Sequence, residues 1–261
     1  MASIFFDIDG TLIDRYGVVE QSTIRAVDRL KENGHAVYIN SGRTKVYIHN
    51  KELLEMPFDG MLCGCGTNLF LHGEELFCRN IEKELLYHMV AVFNQYDLPM
   101  IIEGRDWLYM DWEKIARDPY GESVFQKIRQ HAQPIAGNES IEASKFSVVT
   151  QYIEPELADQ IMDEFRDLFT VANHDYHVME LTPKDCSKAI AMQEICRQTG
   201  ASREETFAFG DGANDVEMLK AAGTGIVMGN GRKPAKDVAD YITDDIHEDG
   251  IWNALKRFGL I

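Results

Sequence analysis

Two short apolar runs, set far apart in the chain, end in the same way. Ile4-Phe5-Phe6 is broken at once by Asp7, Asp9 and Gly10, and Thr206 to Phe209 runs into Gly210-Asp211-Gly212. β-branched and aromatic residues that stop at a Gly-containing loop read as buried strands with their C-terminal turns. Residues 22–33 read as a helix: Ser22 or Thr23 can cap it, Ile24, Val27 and Leu30 form its apolar stripe, and Gly34 stops it. Ala36 to Ile39 is a second strand, ending in Asn40-Ser41-Gly42-Arg43; a helix is expected over 44–55 and a third strand over Gly60 to Cys63. Strand, helix, strand, helix, strand in this order implies a parallel sheet with right-handed crossovers.

The pattern then changes. Leu69 to Leu71 and Leu76 to Cys78 flank His72-Gly73-Glu74-Glu75 and read as a hairpin. Helices are expected over 81–96, 122–132 and 156–167, and strands over 99–103, 107–111, 145–150 and 176–181. The parallel style returns after Pro183, with helices over 187–199, 214–222 and 250–258 and strands over 206–209 and 225–228. The fold class is therefore α/β: a Rossmann-like parallel-sheet core, discontinuous over 1–82 and 183–261, with an inserted α+β domain over 83–182.

At 261 residues the chain is long enough to bury its core without disulfides or structural metal. Its charge is lopsided, 26 Lys and Arg against 43 Asp and Glu, for a net of −17. Such a chain is a poor partner for nucleic acid or an anionic membrane, both of which need a basic face. An anionic substrate would need local positive charge, for instance from a metal ion. Five cysteines, an odd and scattered number, do not form a disulfide framework. No basic leader opens the sequence and no run of about 18 apolar residues occurs. A reduced, cytoplasmic protein without an obligate protein partner is expected.

Asp7, Asp9 and Asp211 all follow predicted strands, with Asp215 four residues on. Strand C-termini of a parallel sheet share one edge, and ligands bind there. Several carboxylates at one edge repel each other unless a cation joins them. Oxygen-only ligation of this kind suits Mg²⁺.

Phe6-Asp7-Ile8-Asp9-Gly10-Thr11-Leu12 resembles the first motif of the haloacid dehalogenase superfamily. Ser41-Gly42-Arg43 resembles its second motif, Lys188 matches the third-motif lysine, and Gly210-Asp211-Gly212-Ala213-Asn214-Asp215 resembles the fourth. The stretch from Gly210 to Gly231, continuing to Asp249-Gly250, is similar to the Cof-type phosphatases of that superfamily, and the insert is similar to their C2B cap, the mark of subclass IIB. One segment departs from the pattern: Cof-type chains commonly carry Asn-Gly after the third strand, where this chain has Cys63-Gly64-Cys65-Gly66-Thr67-Asn68.

The resemblance implies a Mg²⁺-dependent phosphatase acting on a small organic phosphomonoester, in particular a sugar phosphate. Asp7 is then the nucleophile, forming an aspartyl-phosphate. Asp9 is the acid that protonates the leaving alcohol and then the base that activates water. Gly10 lets the backbone approach the phosphate. The resemblance puts the metal on the Asp7 side chain, the Asp9 carbonyl and Asp211. It puts the phosphate on Ser41, Lys188 and Asn214 with backbone N–H groups of Ile8 and Gly42. Lys188 also keeps Asp7 ionised; as a plain solvated lysine it would be mildly misplaced in a first helical turn. Asp215 is assigned to ordering Lys188 or the surroundings of the metal. In the cap, Glu103, Arg105, Trp107, Lys145 and Glu180 are candidate contacts to the leaving group, each also readable as an ordinary solvated residue. Cys63, Cys65 and Cys78 with His72 lack the spacing of a zinc ribbon or finger, and the cysteines read as buried free thiols. A phosphomutase or phosphotransferase, passing the phosphoryl group to a sugar hydroxyl, and a non-catalytic phosphate binder are the alternatives.

Overall fold

β1 (Ser3–Phe6) is buried at every residue, as a strand covered on both faces must be. The structure is a computed structural model that describes residues 1–117, 126, 128–174 and 177–261. It divides into two units: Met1–Arg43, Ile48–Phe77 and Cys186–Ile261 form the first, and Thr44–Tyr47 with Cys78–Asp185 the second.

In the first unit β1 lies in parallel between β2 (Ala36–Asn40) and β12 (Thr206–Gly210). The full order is β14-β13-β12-β1-β2-β3-β4-β5, with β3 (Gly60–Cys63), β4 (Asn68–Leu71), β5 (Glu74–Cys78), β13 (Thr224–Val227) and β14 (Tyr241–Ile242). The strands are parallel from β14 to β3, and β4 turns back antiparallel to β3.

Alternation along β1 builds two apolar layers. Ile4 and Phe6 join Val37, Ile39 and Phe209 beneath helices α1 (Gln21–Glu32) and α9 (Gly250–Arg257). Phe5 joins Tyr38, Leu62 and Ala208 beneath α6 (Lys188–Thr199) and α7 (Val216–Ala221). Stacked rings tie the central strands, Phe6 on Phe209 at 4.7 Å and Phe5 on Tyr38 at 4.8 Å. α6 starts on the Ser187 cap, whose hydroxyl accepts the Ile190 N–H, and stops at the left-handed Gly200. A short α8 (Lys233–Lys236) follows β13.

The expected helix over 44–55 is a 3₁₀ turn at Lys45–Tyr47 and a separate α2 (Lys51–Glu55). Asn50 divides them: its backbone is extended and its side chain accepts the Leu53 N–H, so it begins a new helix instead of continuing one. The first piece belongs to the second unit, where Val46 packs with Ile101, Leu108 and Met110.

The second unit carries a six-stranded sheet of order β10-β11-β9-β6-β7-β8, namely β6 (Met100–Glu103), β7 (Leu108–Met110), β8 (Ala132–Pro134), β9 (Lys145–Val149), β10 (Phe169–His174) and β11 (Val178–Pro183). One face, Met100, Ile102, Phe146, Val148, Met179 and Leu181, packs on α3 (Lys83–Gln95) and α5 (Pro155–Asp163). A single-turn α4 (Trp112–Ile115) follows β7. Residues 122–125 and 127 of the expected helix over 122–132 lie outside the described residues, as does Tyr176 at the head of the expected strand 176–181. Of that helix, Arg129–His131 is a 3₁₀ turn and Ala132 already begins β8.

Phe209→Ala removes a fully buried ring from the centre of the first sheet. It is expected to lower unfolding free energy by about 3–5 kcal/mol, read as a drop in the urea midpoint.

Candidate active site

Asp7 is the first residue past β1, and its N–H donates to Phe209 O of the neighbouring strand at 2.9 Å. That bond carries the parallel ladder one step beyond the strand and fixes where the side chain starts. Lys188 opens α6 and reaches both Asp7 and Asp215: Nζ lies 2.5 Å from Asp7 Oδ1 and 2.6 Å from Asp215 Oδ1. All three side chains are buried. Burial penalises the Lys188 charge, yet the Asp215 and Asp7 carboxylates outweigh it and raise its pKa. Burial likewise pushes the Asp7 carboxyl up, and Lys188 opposes it.

Both Asp215 oxygens are already bonded. Its Oδ1 takes Lys188, and its Oδ2 accepts the N–H groups of Asp211 at 3.0 Å and Gly212 at 2.9 Å. It therefore shapes the loop that presents Asp211. The Asp211 carboxyl is pushed up to about 6, first by burial and then by the charge of Asp215. Asp7, Asp211 and Asp215 each offer an oxygen within 4.8 Å of the others. Three carboxylates share a single buried ammonium, which leaves the cluster short of positive charge. With Asp215 engaged, Asp7 and Asp211 are the side chains suited to a hard divalent cation, and their all-oxygen chemistry fits Mg²⁺.

The second-motif residues gather beside them. Ser41 is buried; its N–H donates to Leu62 O at 2.8 Å, and its hydroxyl accepts the Arg43 N–H at 3.1 Å. A Cβ on Gly42 would stand 3.3 Å from Asn214 Nδ2 and 3.5 Å from Cys65 Sγ, so Gly42 and Asn214 face one another closely. The departing Cys-Gly-Cys-Gly segment supports this turn: Cys65 N–H donates to Ser41 O at 2.9 Å and Gly64 N–H to Arg43 O at 2.7 Å. Ile8 buries its side chain in the apolar layer, and its carbonyl accepts the Leu12 and Ile13 N–H groups at 2.9 Å, closing the first-motif turn. Asp9 is exposed and held by Arg43.

Several residues at the site carry no sequence signal of their own. Asn40, fully buried, donates to Lys188 O at 2.8 Å and anchors the first turn of α6. Asn230 donates to Gly10 O at 2.8 Å. Arg232 N–H donates to Asp211 O at 2.8 Å, and its charge partly offsets the rise of the Asp211 pKa. Asn40 stands one residue before Ser41 and could have been picked out as a polar residue closing a strand.

In the second unit, Glu103, Lys145, Ser147 and Glu180 share the sheet face opposite α3 and α5, since Glu103 pairs with Lys145 and Glu180 with Ser147 across the strands. Lys145 Nζ is 3.1 Å from Glu180 Oε2, and Glu103 accepts the hydroxyls of Ser147 at 2.6 Å and Thr44 at 3.3 Å. Arg105 and Trp107 do not join them: both are exposed on the β6–β7 turn, where Arg105 pairs with Asp106.

A family model of haloacid dehalogenase-like hydrolases matches residues 4–255. The putative phosphatase YkrA of Bacillus subtilis is 25% identical over 258 residues, covering 99% of this chain and 98% of its own. The 5-amino-6-(5-phospho-D-ribitylamino)uracil phosphatase YitU of the same organism is 26% identical over 275 residues, covering 98% and 96%. Among solved structures, the subclass IIB sugar phosphatase BT4131 matches with a TM-score of 0.85 and 27% identity over 100% of both chains.

Asp211 supplies a pH-dependent stability test. Its folded-state pKa lies above the unfolded value, so without bound metal the ionised side chain opposes folding above pH about 6 and is neutral in both states below about 4. In chelator, Asp211→Asn is expected to stabilise the protein at pH 8 by on the order of 2 kcal/mol. The gain fades as pH falls towards 4, as urea unfolding at the two pH values would register.

Proposed function

Because the chain belongs to the haloacid dehalogenase-like hydrolases and is a phosphatase, we propose that it hydrolyses a phosphorylated sugar or polyol with Mg²⁺, through an aspartyl-phosphate on Asp7. The observation that supports this most is the buried Lys188 bridge between Asp7 and Asp215, with Asp211 beside it. The buried ammonium opposes the upward push of burial on Asp7 and favours the charged form that an attack on phosphorus requires.

Asp7 attacks phosphorus while the leaving oxygen takes a proton from Asp9. Water then attacks the aspartyl-phosphate, loses its proton to Asp9, and free phosphate departs. Lys188, Ser41 and Asn214, with the Ile8 and Gly42 N–H groups, are assigned to the phosphoryl oxygens, where charge develops. Asp7 and Asp211, with the Asp9 carbonyl, would hold Mg²⁺. Bound there, the ion supplies positive charge that offsets bringing an anionic ester to an anionic nucleophile.

Selection of the leaving group is assigned to the second unit. The cluster of Glu103, Lys145 and Glu180 offers donors and acceptors of the kind a polyol presents, with Arg105 and Trp107 as further candidates. The names of YitU and BT4131 accord with such substrates. Among the described residues no helix is long and apolar enough to cross a membrane. None of the five cysteines is in a disulfide, which suits a reducing, cytoplasmic setting.

Hydrolysis of nitrophenyl phosphate is expected to require Mg²⁺ and to fall by about a thousandfold or more in Asp7→Asn. Beryllofluoride with Mg²⁺ is expected to form an adduct on Asp7 in the native protein alone. Turnover retained in Asp7→Asn would remove the covalent mechanism.

A further inference from the structure

Asp9 and Arg43 meet through a two-point fork, Nε to Oδ2 at 2.7 Å and Nη2 to Oδ1 at 2.5 Å. Both residues belong to the first unit. The main chain of Arg43 is pinned on each side, by its N–H to Ser41 Oγ at 3.1 Å and by the Gly64 N–H to its carbonyl at 2.7 Å. Asp9 sits in a turn closed by Gly10 N–H to Ile13 O at 2.8 Å. Both backbones are thus set, and the freedom that remains is in the Asp9 side chain, 57% exposed.

An ion pair so open to water adds little to stability. A planar guanidinium fork contributes something else: it holds both carboxylate oxygens in one plane, which a lysine cannot do. The direction matters because Asp9 shares the loop after β1 with Asp7, two residues away.

We infer that Arg43 is a positioning residue for Asp9, fixing its carboxyl group in the orientation from which it passes a proton to the leaving oxygen. The inference rests on the phosphatase reading above and gives the second-motif arginine a task distinct from binding phosphate. As the bond from phosphorus to the leaving oxygen breaks, the Asp9 proton moves to that oxygen. The electron pair of the O–H bond stays on the Asp9 carboxylate, the form that the fork fits. When water attacks phosphorus and the Asp7 ester bond breaks, a water proton restores the Asp9 carboxyl group.

The test is kcat/KM for phosphate monoesters whose leaving groups run from nitrophenol to simple alcohols. A departing nitrophenolate needs no proton, whereas an alkoxide does. In Arg43→Lys and Arg43→Gln, kcat/KM for alkyl esters is expected to fall by about tenfold or more, against less than about threefold for nitrophenyl phosphate. In an Asp9→Asn background the same substitutions should leave the alkyl-to-aryl ratio where Asp9→Asn alone sets it, because the arginine acts through the missing acid.

An equal fall for every ester, with raised KM and weaker inhibition by inorganic phosphate, would make Arg43 a phosphate ligand and overturn the inference. Unchanged kinetics for every ester would overturn it as well. A native protein that cleaves none of the esters with Mg²⁺ present would instead defeat the phosphatase reading, and this inference with it, before any variant is compared.

Discussion

One buried ammonium organises the sheet edge. Lys188 sits at the N-terminus of α6, where the helix dipole disfavours a cation, and it is almost entirely withdrawn from water. Neither circumstance favours a charged lysine. Two carboxylates offset them, Asp7 from the loop after β1 and Asp215 from the loop after β12. Parallel pairing of β1 with β12 in register, Phe6 opposite Phe209, sets those loops side by side. The buried bridge is therefore a consequence of sheet topology before it is a piece of chemistry. Asn40, at the end of β2, fixes the same helical turn from a third strand.

The two acidic loops approach so closely that side chains at their glycines would collide with the cluster. Gly10 has φ +79°, and a Cβ there would meet Asp211 Oδ2 at 2.5 Å; a Cβ on Gly210 would meet Asp215 Cγ at 2.5 Å. Gly10 reads in sequence as clearance for phosphate. Its nearest demand in the structure is clearance for Asp211, so the residue lets two carboxylate loops share one edge.

What was legible in the sequence was whatever depends on local pattern. The strands ending at Asp7 and Asp211, the stripe of α1 and the extent of α6, expected over 187–199 and found over Lys188–Thr199, follow from short-range apolar spacing. The helix drawn through 44–55 failed because its apolar residues continue past Asn50, while the backbone there is extended. β10, six residues long, escaped notice in the stretch after the expected helix 156–167; the two-residue β14 did so because a strand that short owes its existence to a neighbour's hydrogen bonds more than to its own residues. The same limit applies at the site. The motif residues announce themselves, but Asn40, Asn230 and Arg232 act through contacts between segments far apart in sequence, and the pairing of Arg43 with Asp9 is a side-chain choice that residue spacing does not encode.

Each unit places a fully buried lysine among acidic side chains. In the first unit it is Lys188 between two aspartates. In the second it is Lys145, which bonds Glu180 and lies opposite Glu103 on the sheet. Burial pushes the Glu103 carboxyl up, Lys145 pulls it down, and Glu180 raises it again. Well-packed apolar residues serve stability as well as buried ion pairs do, or better, and both sheets have ample apolar neighbours to extend inward. Folding alone therefore gives no reason to keep either lysine. On the proposed mechanism Lys188 has its reason in favouring the charged form of Asp7. Around Lys145 the second unit likewise gives up apolar packing for fixed polarity, on the sheet face turned away from its own helices.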